Sequence, residues 1–276
     1  MEKRRYQILL TNDDGINSPG LWAAAEALSR LGYVTVAAPR NNSTSMGRSM
    51  PPASDGKLTS VQMRIGEQSW TVYAVGGTPA QAVFHAVEEL LPQKPDLVVS
   101  GINYGENVGS GITISGTVMA ALEGAAAGIP ALAVSAQLLE NTFFDYSNLD
   151  FSGAAYFTEF FARKLLESRE QGSPVAGEQD VAVLKVDVPF QATPDTPWRL
   201  TRQSLHRYYR ASVDPRGSFE ENASVKVRVD VKPGETPEDT DVHTLLFDHV
   251  VSVTPISLDM TARVDLSEFE KRIRGL

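Results

Sequence analysis

The chain of 276 residues is 42% hydrophobic and 21% charged, an ordinary composition for one large globular domain or for a domain with an appendage. Its formal net charge of -9 at pH 7 argues against a nucleic-acid duplex or a membrane as the main partner, because both reward basic surfaces. The absence of cysteine excludes disulfides, thiolate catalysis and cysteine-bearing zinc sites. No apolar stretch reaches the length of a transmembrane helix and no signal-peptide core follows the basic amino terminus, so we predict a soluble, cytoplasmic protein.

Two adjacent carboxylates follow the first predicted strand. The apolar residues 8–10 are typical of a buried strand, which stops at the turn-forming residues Asn12, Asp13, Asp14 and Gly15. Ligands of open α/β sheets bind at the carboxyl ends of strands, and two neighbouring anions there repel each other unless a cation or a shared proton compensates. A hard divalent metal ion is the simplest compensation. The same residues also suit an ordinary solvated turn, so the turn alone leaves both interpretations open.

The next elements predict a parallel sheet. Strong helix formers cover residues 21–31, Gly32 is expected to stop this helix, and residues 34–38 form a second strand. Strand, helix and strand make a βαβ unit, whose two strands run parallel. The polar loop of residues 40–52 leaves the same edge of the sheet as the carboxylates and could supply hydroxyls and a cation.

A hairpin, a capped helix and a glycine-rich segment follow. Residues 57–75 predict a β-hairpin, and residues 79–91 predict a helix with Thr78 as its N-cap. A third strand at residues 97–100 leads into residues 101–111, which contain four glycines. Such a segment indicates either a backbone that approaches a ligand closely or a flexible loop.

The next predicted helix, residues 116–127, is dominated by small residues and begins at Ser115, Gly116 and Thr117. Hydroxyls and free backbone N–H groups at the positive end of a helix dipole suit an anion such as phosphate. An ordinary N-cap explains Ser115 equally well. The small residues should let this helix pack closely on the sheet, beside a fourth strand at residues 131–135.

The second half of the chain changes character after a long amphipathic helix at residues 151–168. The polar residues 169–180 are the best candidate boundary, so we predict an α/β domain at residues 1–180 and a β-rich hairpin and oligomerisation segment at residues 181–276. A strand at residues 250–254 should return to the main domain, before a capped terminal helix. The β-rich stretches are residues 181–188, 207–213 and 225–231.

Oxygen donors converge at one predicted edge of the sheet. Asp13 and Asp14 follow the first strand, hydroxyls of the polar loop follow the second, and Asn103 follows the third. These hard donors suit magnesium, manganese or calcium, and together with the anion site they indicate hydrolysis of a phosphomonoester by metal-activated water. The chain lacks the G-x-G-x-x-G fingerprint, which disfavours a dinucleotide-dependent oxidoreductase. The missing Asp-x-Asp spacing disfavours an aspartyl-phosphate nucleophile.

These motifs closely resemble the SurE family, the stationary-phase survival proteins that act as metal-dependent 5′/3′-nucleotidases and acid phosphatases. The resemblance implies a Rossmann-like, mostly parallel sheet with helices on both faces. It also implies a carboxyl-terminal extended hairpin and helix that swap between the subunits of a homodimer or homotetramer. The motifs that carry it are residues 9–20, 77–79, 99–135, 214–217, 239–241 and 250–255.

The resemblance also implies the site residues. The family holds one divalent cation per subunit, here expected to be Mg²⁺ or Mn²⁺, through positions that fall on Asp13, Asp14, Thr44 and Asn103. The family has Ser where Thr44 stands, and Ser43 and Ser45 flank this position, so the identity of the hydroxyl ligand stays open. Asp13 and Asp14 are also the candidate catalytic residues, and either could serve as the general base. In this hypothesis the substrate phosphate is bound by Asn107, Ser115, Gly116 and Thr117.

Four further positions depart from the family pattern. The family often has His at Arg48, Tyr at Ile114, and Asp-Cys at Gln81 and Ala82. Arg48 would strengthen the attraction of phosphate and remove a titratable group. We expect nucleoside monophosphates as substrates. The alternative is a non-catalytic stress protein that binds nucleotide or phosphate in the same pocket.

Overall fold

The computed structural model describes residues 5–65, 68–138, 150–172 and 181–275, which form an α/β structure. The strands are β1 (Tyr6–Thr11), β2 (Gly32–Pro39), β3 (Leu58–Ile65), β4 (Gln68–Val75), β5 (Leu97–Tyr104), β6 (Ala131–Ala136), β7 (Val183–Val188), β8 (Trp198–Leu200), β9 (Tyr209–Val213), β10 (Val225–Val229) and β11 (Val251–Ile256). The α-helices are α1 (Pro19–Ser29), α2 (Pro79–His85), α3 (Gly116–Ala126), α4 (Ser152–Glu170), α5 (Asp241–Leu246) and α6 (Leu266–Arg274). A π-helical turn, Ala86–Leu90, continues α2, and a 3₁₀ helix, Gly109–Ile114, precedes α3.

Nine strands form one mixed sheet in the order β3-β4-β2-β1-β5-β6-β7-β11-β8. β1 pairs in parallel with both β2 and β5, and the parallel ladder continues through β6 to β7. The β3–β4 hairpin and the β7–β11 pair are antiparallel. The predicted α/β fold with a mostly parallel sheet is therefore confirmed, and the carboxyl ends of β1, β2, β5 and β6 share one edge.

Helices cover both faces of this sheet. α1 and α4 pack through residues such as Leu21 and Phe157 into one core, whereas α2 and α3 pack through residues such as Val118 into the other. The small residues of α3 allow the close approach that was predicted, since a Cβ added at Gly124 would lie 2.7 Å from Val98 Cγ2. Across the described ranges no helix is both long and apolar enough to cross a membrane.

The first helix ends earlier than its sequence pattern predicts. α1 ends at Ser29, and Gly32 begins β2 instead of stopping the helix. A Cβ added at Gly32 would lie 2.2 Å from the carbonyl oxygen of Tyr6. The prediction for Gly32 was wrong because glycine is required there by the close approach of β2 to β1.

The hairpin and the capped helix that follow are confirmed. β3 and β4 pair antiparallel over eight residues each, and their predicted turn at residues 66 and 67 lies outside the described residues. Thr78 caps α2 in a reciprocal capping box, because its hydroxyl accepts the Gln81 N–H at 3.1 Å while Gln81 Oε1 accepts the Thr78 N–H at 3.1 Å.

β7 lies in the main sheet and not in the predicted hairpin region. All six residues of Val183–Val188 are buried, and the strand pairs in parallel with β6. The hairpin itself is formed by β9 and β10, which pair antiparallel as a separate, largely exposed sheet. Of the predicted boundary at residues 169–180, the part from 173 onward lies outside the described residues.

The last strand and helix follow the sequence prediction. β11 returns to the main sheet and pairs antiparallel with β7. The Asp265 carboxylate accepts the N–H of Glu268 at 3.0 Å and caps α6, which ends at Arg274. No residue of α6 is buried within this chain. The exchange of this helix and of the hairpin between subunits stays a prediction.

Candidate active site

The turn after β1 is closed by Asn12. Asn12 Nδ2 donates to the carbonyl oxygen of Gly15 at 3.0 Å, and Asn12 Oδ1 accepts the Gly15 N–H at 3.2 Å. Gly15 has φ of 95°, a conformation that side chains rarely adopt, and an added Cβ would lie 3.0 Å from the backbone of Asn41. This turn therefore fixes the two following carboxylates, Asp13 and Asp14, at the carboxyl end of β1.

Asp13 is a buried carboxylate, with only 3% of its surface exposed. Thr117 Oγ1 donates a hydrogen bond of 2.6 Å to Asp13 Oδ1. Burial raises the pKa of Asp13 from 3.8 to about 6, and hydrogen bonds from the Thr117 side chain and from the backbone of Thr117 and Gly116 oppose this rise. The amino terminus of α3 therefore faces the Asp13 side chain.

The first residue of α3 must be small to make this contact. A Cβ added at Gly116 would lie 2.6 Å from Asp13 Cβ and 2.7 Å from Asp13 Oδ2. Ser115 is the N-cap, and its hydroxyl accepts the N–H of Val118 at 3.0 Å. Of the predicted anion-binding residues at the start of α3, the structure thus brings Gly116 and Thr117 into contact with the Asp13 carboxylate, and Ser115 precedes them as the N-cap.

Asn103 lies within β5, because this strand extends to Tyr104 and not only over the predicted residues 97–100, and Asp14 is bonded to the end of the strand. Asp14 Oδ2 accepts the N–H of Tyr104 at 3.1 Å, which joins the turn after β1 to the residue that follows Asn103. Asn103 Nδ2 donates to the carbonyl oxygen of Gly105 at 2.6 Å. This bond fixes the orientation of the Asn103 amide group.

The polar loop after β2 also reaches Asp13. The Ser43 N–H donates to the carbonyl oxygen of Asp13 at 2.7 Å, and the Ser43 side chain is half-buried. Thr44 is exposed, and its N–H donates to Asn42 Oδ1 at 3.0 Å. Both hydroxyls therefore lie on a loop that is attached to the Asp13 backbone, and Ser43 makes the attachment.

Arg48 has an acidic partner. Its Nε lies 2.6 Å from Glu123 Oε2 on α3, so the loop and this helix are joined by an ion pair. The Gly47 N–H donates to the carbonyl oxygen of Ile114 at 3.1 Å and joins the same two parts of the chain. Of the departures from the family pattern, Ile114 thus contacts the polar loop just before α3, and Arg48 joins this loop to the later part of the helix.

Asn107 is bonded to buried residues that the sequence analysis did not identify as part of the site. Its backbone N–H donates to Asp187 Oδ1 at 2.8 Å, and its Nδ2 donates to Ser135 Oγ at 2.8 Å. Asp187 in turn forms an ion pair with Lys185, and both side chains are fully buried. The sequence did contain a signal for this pair, because Lys185 and Asp187 are opposite charges two positions apart in an otherwise apolar strand. Alternate residues of a strand share one face, so the two side chains are expected to lie side by side.

The comparisons with known proteins agree with this architecture. Residues 8–210 match the family model described as Survival protein SurE. The chain belongs to the SurE family. It is 39% identical to the 5'-nucleotidase SurE of Methanosarcina acetivorans, with 96% of this chain and 97% of the relative covered. It is 38% identical to the 5'-nucleotidase SurE of Thermococcus gammatolerans, with 98% and 96% covered. The crystal structure of the SurE protein from Aquifex aeolicus matches with a TM-score of 0.74 and 31% identity, over 97% of this chain and 99% of that chain.

The residues of this SurE-family site fit a hard divalent cation. Among the described residues no three His, Cys, Asp or Glu side chains are grouped so that they could hold a metal ion, and a site built on Asp13 and Asp14 would need further oxygen donors of other types. Asp13, Asp14, Asn103 and the hydroxyls of the polar loop supply such donors at one edge of the sheet. Burial raises the pKa of Asp13 against the opposing hydrogen bonds, and a bound cation would favour its ionised form.

Proposed function

We propose that this SurE-family protein is a phosphomonoester hydrolase that removes phosphate from nucleoside 5′- and 3′-monophosphates. The observation that carries the proposal is the buried Asp13 carboxylate, held against the start of α3 by Thr117, with the adjacent Asp14 bonded to the Tyr104 N–H. The similar proteins of Methanosarcina acetivorans and Thermococcus gammatolerans are named 5'-nucleotidase SurE, which supports the substrate class.

Asp13, Asp14 and Asn103, with Thr44 or Ser43 as the hydroxyl donor, would hold one divalent cation, for which we propose Mg²⁺ or Mn²⁺. When bound, such a cation polarises phosphoryl oxygens and lowers the pKa of a bound water. Asp14 is fixed for this role by the Tyr104 N–H, and Asp13 is fixed by Thr117. Either carboxylate could accept the proton of the attacking water.

The start of α3 would orient the substrate phosphate. Backbone N–H groups at a helix amino terminus attract anions, and α3 is 11 residues long, so its dipole is developed. The phosphate would accept hydrogen bonds from Ser115, Gly116 and Thr117, whose donors would be divided between it and Asp13. Asn107 would contact the phosphate from the neighbouring loop. Such preorganised donors lower the barrier by stabilising negative charge in the transition state.

We also propose a homodimer or homotetramer. α6 has an apolar side made by Leu266, Phe269 and Ile273, and these side chains are 65%, 46% and 73% exposed in the single chain. Apolar side chains at three- and four-residue spacing on one helix are normally covered, and a second copy of the chain would cover them. A cytoplasmic location stays a prediction.

Phosphate release tests the proposed function. Nucleoside 5′- and 3′-monophosphates and p-nitrophenyl phosphate would be incubated with the protein in chelator, and then with added Mg²⁺, Mn²⁺, Co²⁺ or Zn²⁺. The proposal predicts release that requires metal and favours nucleotides. A folded protein that binds nucleotide or phosphate but releases none under any metal would instead support the non-catalytic binding protein.

A further inference from the structure

Three charged side chains are buried beneath the loop that carries Asn107. Lys185 Nζ forms an ion pair with Asp187 Oδ2 and lies 3.3 Å from Asp241 Oδ2, and all three side chains have 0% exposure. Lys185 and Asp187 come from β7, whereas Asp241 comes from the start of α5. Buried ion pairs are costly to desolvate, so this cluster requires an explanation beyond stability.

Each carboxylate of the cluster holds a backbone N–H of the loop. Asp187 Oδ1 accepts the Asn107 N–H at 2.8 Å, and Asp241 Oδ2 accepts the Gly109 N–H at 3.1 Å. Asp241 Oδ1 also accepts the N–H groups of Ser204 and Val242, both at 2.8 Å. The two carboxylates therefore fix two loop residues that are two positions apart.

Lys185 is the cation that keeps these carboxylates together. Burial acts to lower the pKa of Lys185, but the neighbouring charges of Asp187 and Asp241 outweigh it, and the net direction is upward. Burial raises the pKa of Asp187 to about 6 even though Lys185 opposes this rise. Without Lys185, two buried carboxylates would face each other, and one would take up a proton or move.

The fixed loop leads directly to the candidate site. Gly109 begins the 3₁₀ helix that ends at Ile114, and Ser115 follows as the N-cap of α3. Asn107 Nδ2 donates to Ser135 Oγ at the carboxyl end of β6. Both groups proposed to contact phosphate, Asn107 and the start of α3, thus depend on the loop position.

We propose that Lys185 is a positioning residue, which sets the phosphate-binding geometry of Asn107 and of the start of α3 by holding Asp187 and Asp241 on the N–H groups of the loop. This inference rests on the proposed function for the identity of the bound group. It assigns Lys185 no contact with the substrate. The metal donors Asp13 and Asp14 lie outside the Lys185 cluster, so metal affinity should be independent of Lys185.

The test is Lys185→Met, which removes the charge and keeps an unbranched chain. We expect kcat/KM to fall roughly ten- to a hundredfold, because small displacements of positioning groups cost this much. Inhibition by inorganic phosphate should weaken by about the same factor, while the half-saturating metal concentration stays unchanged. Hydrogen exchange of the peptide containing residues 105–109 should accelerate. Lys164→Met, at an exposed lysine on α4, is the matched control and should change none of these values.

A second variant separates positioning from general destabilisation. Lys185→Met/Asp187→Asn removes both charges but keeps an oxygen that can accept the Asn107 N–H, so it should recover part of the phosphate inhibition that is lost in Lys185→Met. If Lys185→Met fails to fold, the double variant is compared with the wild type in its place. Inorganic phosphate should then inhibit the double variant more weakly than the wild type, and the metal dependence of the two proteins should be the same.

Wild-type phosphate inhibition and wild-type exchange of the loop in a folded Lys185→Met protein would overturn the inference. Faster exchange with unchanged phosphate inhibition would also overturn it, since the cluster would then be structural only. Absence of turnover in the wild type would count against the proposed function but not against the role of Lys185. That role would still be decided by phosphate binding, measured by calorimetry, and by the hydrogen exchange of the loop.

Discussion

Thr117 Oγ1 donates a 2.6 Å hydrogen bond to Asp13 Oδ1, although the two residues are 104 positions apart in the sequence. The bond joins the turn after β1 to the first turn of α3. Thr117→Val removes the donor and keeps the shape. Because a hydrogen bond to a charged group contributes about 1.5 to 3 kcal/mol, turnover and metal affinity should fall roughly ten- to a hundredfold. Steady-state kinetics with titrated metal would measure this loss. Thr117→Ser, which keeps a hydroxyl, should retain most activity, and equal losses in both variants would contradict this role of the hydroxyl.

Gly116→Ala tests the close contact between α3 and the Asp13 turn. The added methyl group would lie 2.6 Å from Asp13 Cβ, so either the helix or the turn must move. We expect a loss of on the order of 1 to 3 kcal/mol in unfolding free energy, together with a large loss of turnover. Urea denaturation and phosphate release would measure both. Gly111→Ala is the control, because an added Cβ there meets nothing within 4 Å, and an equal loss in both variants would exclude the contact as the cause.

The pKa of Asp13 makes stability depend on pH in a defined direction. Burial raises this pKa from 3.8 to about 6, so the folded state binds the proton more tightly than the unfolded state does. In chelator, the contribution of Asp13 to the unfolding free energy should therefore decrease as the pH rises from about 4 to about 6, by on the order of 3 kcal/mol. Denaturation at several pH values would measure this slope. Asp13→Asn should remove this component, and an unchanged slope in that variant would contradict the assignment.

Metal addition should reverse this pH effect in the wild type. A metal ion binds the ionised carboxylate, so the half-saturating metal concentration should fall about tenfold for each unit by which the pH rises towards 6 and should level off above pH 6. Calorimetric titration of the metal over this pH range would show the change in slope.

The hydroxyl donor for a metal is a choice between two neighbours. Ser43 is half-buried and bonds to the Asp13 backbone through its N–H, whereas Thr44 is exposed. Ser43→Ala and Thr44→Ala each delete one hydroxyl and leave the loop backbone in place. The variant that loses the metal donor should need a higher metal concentration for half-maximal activity, and the other should match the wild type. Wild-type metal dependence in both would exclude Ser43 and Thr44 as metal ligands.

Much of the fold was predictable because its determinants are local. The apolar runs of β1, β5 and β6 and the capping residues Thr78 and Ser115 are confirmed, since strand burial and helix capping depend on residues within a few positions. Gly32 was misassigned because its requirement comes from Tyr6 on a neighbouring strand. The residues next to Gly32 in the sequence do not indicate that contact.

The candidate site was predictable to the extent that its residues follow strand ends. Asp13 and Asp14 follow the end of β1, whereas Asn103 lies within β5, one residue before its end, and the parallel pairing of the two strands brings these ends to one edge. Lys185 and Asp241 were missed because they meet only through the packing of α5 against β7, across 56 positions of sequence that no spacing rule connects. The Asp13 contact of Thr117 was likewise visible only in the structure, where the predicted anion site faces a carboxylate of the chain itself.

The most direct test of the central claim is phosphate release from a nucleoside 5′-monophosphate by the wild type and Asp14→Asn, each measured in chelator and with saturating Mg²⁺ or Mn²⁺. Asp14 is bonded to the Tyr104 N–H through one oxygen, which asparagine can replace, so the fold should be kept. We predict turnover that requires metal in the wild type and is lost in the variant, with both proteins folded. Metal-independent release by the wild type, or full activity of Asp14→Asn, would contradict the account.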